Sequence, residues 1–143
     1  MLPGMPHPRP RILLFVALAF ALLLPGCGAG PLDAYKIGLT VSTSAYEATN
    51  AAWTKQKAAE REACLAPPIP PAESPACIET VIARWAPRST KLRELYAALT
   101  SAGLILAILE TSEAMKRPLD TAPLEKAIAA VLDAAQAVQA VSP

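Results

Sequence analysis

Proline limits this chain more than any other residue. It lacks a backbone N–H and its ring crowds the preceding helical turn, so a helix ordinarily stops there. Fifteen prolines stand among 143 residues. Pro3, Pro6, Pro8, Pro10 and Pro25 lie near the start, and Pro67, Pro68, Pro70, Pro71 and Pro75 crowd together. Pro31, Pro87, Pro118, Pro123 and Pro143 stand apart. The long proline-free intervals between them are rich in alanine, the best helix former. Alanine also explains how a chain can be 53% hydrophobic and only 5% aromatic. The expectation is an all-α fold, a small antiparallel helical bundle of three long helices plus one short helix, with one disulfide-closed Pro-rich loop.

Apolar spacing places the helices. Leu32, Tyr35, Leu39, Ser42, Tyr46, Thr49 and Trp53 recur at alternating steps of three and four, the period of one buried helix face. This predicts a first long helix over 32–64. A row of small residues runs beside that face (Ala34, Gly38, Val41, Ala45, Ala48, Ala52, Ala59, Ala63) and invites close approach by another helix. The stretch 35–41 also alternates with period two, as a strand would. No second strand candidate exists to pair with it, so helix is preferred. Ser74-Pro75 reads as an N-cap and first helical residue. Ile78, Val81, Ile82 and Trp85 give a short second helix one buried face, and Pro87 stops it. A third helix, capped by Ser89 or Thr90, runs over about 90–116 to Pro118. Its stretch 95–109 carries no charge. At fifteen residues it is too short to span a bilayer and reads as a buried central helix, apolar all round. Asp120 or Thr121 opens a fourth helix over about 122–141, with Leu124, Ile128, Val131, Leu132, Ala135 and Val138 on one face.

The leader is a separate problem. Arg9 and Arg11 precede thirteen uninterrupted apolar residues, 12–24, and no acid occurs among them. A positive segment followed by an apolar stretch of this length is a secretory signal, since a spanning helix needs about 20 apolar residues. The stretch ends in Leu24-Pro25-Gly26-Cys27, which resembles the lipobox of bacterial lipoproteins. The resemblance implies that the Cys27 thiol carries diacylglycerol, that cleavage falls before Cys27, and that the new amino group is acylated, commonly with palmitate. Residues 1–26 are then a signal peptide, 27–31 a lipidated cysteine and short tether, and 32–143 the helical domain. Gly28 stands where an Asp usually retains such proteins at the inner membrane. Its presence points to the outer membrane, facing the periplasm. Loss of Arg9 and Arg11 leaves eleven basic residues against twelve acidic ones, a net charge of −1.

Cys64 and Cys77 remain, and export puts them in an oxidising compartment where two cysteines form one bridge. The residues between them are Pro-rich and cannot continue a helix. With no CxxC spacing and no nearby histidine, a structural disulfide is expected rather than a metal or redox pair.

Chemistry is otherwise sparse. His7, the sole histidine, is lost with the signal, so no catalytic couple and no histidine metal ligand is expected. Scattered glycines form no phosphate loop. The near-neutral charge offers no basic surface for nucleic acid. Glu110 and Glu113 share a helix face but read as solvated. No cofactor is implied. Tyr35, Tyr46, Trp53, Trp85 and Tyr96 read first as core packing; if one is instead an exposed partner contact, Trp85, just before Pro87, is preferred, since Trp dominates interface energetics. The sequence therefore points to a non-enzymatic envelope lipoprotein. It would be held to the membrane through lipid on Cys27 and act by contact with an envelope protein or by self-association. Two other readings stand beside it: a carrier of lipid or another apolar ligand between helices, and a phage or mobile-element exclusion or inhibitor lipoprotein.

Overall fold

The computed structural model describes residues 30–68 and 70–142. The leader and Cys27 lie outside the described residues. Three helices follow one another: α1 Asp33–Ala63, α2 Ser74–Ala114 and α3 Ala122–Ala140. No strand occurs among the described residues. At 1.5 Å per residue they are about 46, 61 and 28 Å long.

α1 follows its apolar spacing. Leu32, Leu39, Ser42 and Trp53 are buried, and Tyr35, Tyr46 and Thr49 are half-buried. Polar side chains on this face are satisfied within the helix: Ser42 Oγ donates to the Gly38 carbonyl and Thr49 Oγ1 to that of Ala45, each at 2.8 Å. Asp33 Oδ2 accepts from the Gly30 N–H at 2.6 Å, which places an acid in the first turn, where the helix dipole favours it. The alternating stretch 35–41 is helical.

α2 corrects the expected count of four helices. The predicted short second helix and the predicted third helix are one continuous helix of 41 residues, with Pro87 inside it. The reason lies in exposure. Pro87 and Ala83, four residues before it, are both exposed, so water can meet the carbonyl that the missing N–H leaves behind. The expected caps change accordingly. Ser89 and Thr90 lie within α2. Ser74 is its first residue, and its hydroxyl donates to the Pro70 carbonyl at 3.5 Å instead of capping. The far end closes in a Schellman motif. Arg117 N–H bonds the Ser112 carbonyl and Lys116 N–H bonds that of Glu113, both at 2.9 Å. Lys116 takes φ 55° at the position that favours glycine. α3 begins where Asp120 Oδ1 accepts from the Ala122 N–H at 3.1 Å.

α2 is the middle element. Along α1, rising residue numbers meet falling numbers on α2. Lys36 pairs with Glu110 at 2.8 Å, the Tyr46 and Tyr96 rings lie 5.4 Å apart, the Trp53 and Trp85 rings 6.0 Å apart, and Cys64 is bonded to Cys77. α3 covers only the C-terminal part of α2, and its end is fixed where Arg88 Nε donates to the Val141 carbonyl at 2.9 Å. α2 packs more extensively on α3 than on α1, and Ala98, Ala102, Ala127, Ala134 and Ala135 on those two helices belong to the core. The small-residue row of α1 does not do this. Ala48, Ala52, Ala59 and Ala63 are exposed, and Ala34, Gly38, Val41 and Ala45 are half-buried. α1 reaches α3 by side chain, Tyr35 Oη donating to Glu125 Oε1 at 3.5 Å. One end of the molecule is thus three helices thick. The other, residues 50–87, is a two-helix arm.

The apolar centre of α2 is buried on one side only. Leu95, Leu99, Ala102, Leu106 and Leu109 are buried, whereas Leu104 and Ile108 are 64% and 66% exposed. By length and composition alone α2 could cross a membrane. In this fold its buried side is instead taken up by α1 and α3.

Candidate functional site

The sequence singled out Cys27, Cys64, Cys77 and Trp85. Cys27 lies outside the described residues. Cys64 and Cys77 form a disulfide with their Cα atoms 5.6 Å apart, and Cys64 is itself buried. The bridge closes the tip of the two-helix arm and joins the end of α1 to the first turn of α2.

Trp85 corrects the expectation of an exposed contact, because it is only 1% exposed. The pattern of its neighbours explains why. The Trp53 ring meets it edge-on, and the Arg88 guanidinium stands 4.6 Å from its centroid. Its indole N–H donates to Glu60 Oε2 at 2.8 Å, and Arg84 approaches the same carboxylate oxygen at 3.5 Å. A buried indole whose N–H finds an acceptor is a core group. The Trp85 hydrogen bond holds the Glu60 carboxyl below its ordinary value of 4.5. Burial opposes this, and Gln56, Arg84 and Arg88 assist it. Ile82, expected on the same buried face, is 46% exposed.

Above the two tryptophans, the outer edge of the α1/α2 pair opens into a groove of about 280 Å³. Tyr46, Trp53, Trp85 and Leu92 form its apolar wall, Asn50, Thr54 and Ser89 add polar groups, and Lys57 and Arg93 stand on it. No carboxylate lines it. Its apolar wall and two cationic side chains suit an apolar or planar group carrying negative charge. A second groove of about 260 Å³ lies nearer the arm tip, lined by Ala58, Arg61, Glu62, Leu65 and Ile78. Leu65 there is 66% exposed. Neither groove was visible in the sequence, because each depends on which residues of α1 and α2 face one another.

The two carboxylates that share a face in sequence have different neighbours. Glu110 accepts from Lys36 Nζ at 2.8 Å, while Glu113 Oε1 lies near Gly30. The Glu110 hydrogen bond raises the Lys36 pKa. Burial, with help from Glu125, raises that of Tyr35. Among the described residues, no three His, Cys, Asp or Glu side chains gather as metal ligands would.

Comparisons of this chain with protein-family models, with curated proteins and with solved structures find no match.

Proposed function

We propose that this chain is a lipoprotein of the bacterial cell envelope, a small antiparallel helical bundle anchored through lipid on Cys27 that acts without catalysis by contact with another protein. The observation that carries the reading is the sequence Leu24-Pro25-Gly26-Cys27 directly after an uncharged apolar segment and two arginines. The fold supports the contact role. The arm offers Leu65 and Ile82 to solvent beside two shallow grooves, and apolar side chains rimmed by Lys57, Arg61 and Arg93 are the usual make-up of an interface. Leu65 lies just past the end of α1 far from Gly30, where the described chain begins.

The anchor is tested by intact mass and by fractionation. The mature chain should begin at an acylated Cys27 and sediment with membranes, and Cys27→Ala should be released. A mature N-terminus without lipid overturns the anchor. The contact is tested with the anchored protein in cells. Crosslinks from positions 65 and 82 should join one defined envelope protein and vanish in a Leu65→Glu, Ile82→Glu variant that keeps its helical content. Absence of any crosslinked protein overturns the contact role.

A further inference from the structure

We propose that the outer face of the C-terminal half of α2 rests on the bilayer surface, as a second membrane contact beside the lipid. The proposal rests on the anchor reading above. Leu104, Ile108 and Met115 are 64%, 66% and 56% exposed. Steps of four and seven put them on one helix face. Ala97, Thr100, Ser101 and Thr111 share that face and are exposed, and no charge interrupts residues 95–109. Lys116 and Arg117 follow at once and are exposed, placed to reach lipid phosphates while their stems stay on the apolar surface.

Position selects the bilayer as the occupant. The chain enters the fold at Gly30, where a side chain would lie 3.7 Å from Glu113 Oε1. That is the same end of α2 that carries Ile108 and Met115. From Cys27 to Gly30 the chain spans at most about 10 Å, roughly the width of one helix. The exposed face is therefore held within reach of the surface that holds the acyl chains. A second copy fits less well. Three side chains are a small fraction of the roughly 800 Å² that each partner gives to a standard interface. An amphipathic face lying only 5–10 Å deep needs much less.

The test uses the full chain in its own membrane, with a photoreactive benzophenone side chain in place of Leu104, of Ile108 or, as control, of the exposed arm residue Ala59. Irradiation should give phospholipid adducts from positions 104 and 108, several-fold above those from 59. Adducts to a second copy or to another protein, or no adducts, overturn the proposal. Intact mass of the same samples reads the anchor separately. Lipid on Cys27 without adducts at 104 and 108 leaves the anchor standing and removes this contact. Adducts without lipid on Cys27 remove the anchor and leave the contact. Leu104→Asp with Ile108→Asp should keep the lipidated Cys27 and abolish adducts from a benzophenone at position 115. Undiminished adducts there would sink the assignment of this face.

Discussion

Trp85 joins α2 to α1, its ring meeting Trp53 edge-on and its N–H donating to Glu60. Truncating a buried tryptophan loses both transfer free energy and packing, so Trp85→Ala should cost about 3–5 kcal/mol in chemical denaturation. The same outcome separates a core role from a contact role, because an exposed contact residue would cost little. Glu60 offers a pH signature. Its carboxyl titrates below 4.5 in the folded protein because Trp85 donates to its charged form. Stability from this group is therefore present above about pH 4.5, the unfolded range, and is lost as pH falls through the lower folded value. Unfolding midpoints measured from pH 7 to pH 3 should drop further in the wild type than in Glu60→Gln, and equal drops would contradict the assignment. Lys116 holds a left-handed conformation at the end of α2, which costs an L-residue about 1 kcal/mol. Lys116→Gly should raise stability by about that amount, read as a higher Tm. Trp85 also shows how far the sequence reached: core packing was legible, its partner was not. Its spacing marked it as apolar and periodic, but a proline two residues on suggested an exposed helix end. The acceptor that lets it be buried, Glu60, lies on another helix and has no local signature.

At the scale of the element, α1 was legible and α2 was not. The three-and-four spacing from Leu32 to Trp53 reports a face, and a face is local information. The reading of Pro87 as a stop treated a statistical tendency as a rule. A helix passes a proline when the orphaned carbonyl reaches water and tertiary packing on both sides outweighs the defect. Here Val81 and Trp85 pack before Pro87 and Leu92 and Leu95 after it. The defect still has a cost. Pro87→Ala restores one N–H and should stabilise the protein by about 1–3 kcal/mol, less whatever rigidity proline gave the unfolded chain. A destabilised variant would mean that the helix needs the bend. The exposure of Leu104 and Ile108 was likewise invisible in the sequence. An unbroken apolar stretch looks the same whether two neighbours cover it or three.

At the scale of the whole molecule, two helices must hold each other without a third over residues 50–87. The Cys64–Cys77 bridge offsets that weakness. A bridge closing a loop of this size contributes about 3 kcal/mol in the chain-entropy model, so reduction should lower global stability by about that much. Local opening should appear first in the arm, with faster amide exchange in residues 50–63 and 76–86 than in 92–110. Uniform exchange after reduction would argue against this division. The disulfide was legible because reading Cys27 as a lipid carrier left two cysteines and one pairing, and the Pro-rich segment between them cannot continue a helix. Its position has one more consequence, for what a protease can do to the chain. Residues 65–68 and 70–73 are exposed and lie between the two bridged cysteines. A cut there nicks the backbone but leaves both fragments covalently joined and still packed. Such a chain runs as one band on a non-reducing gel and as two after reduction.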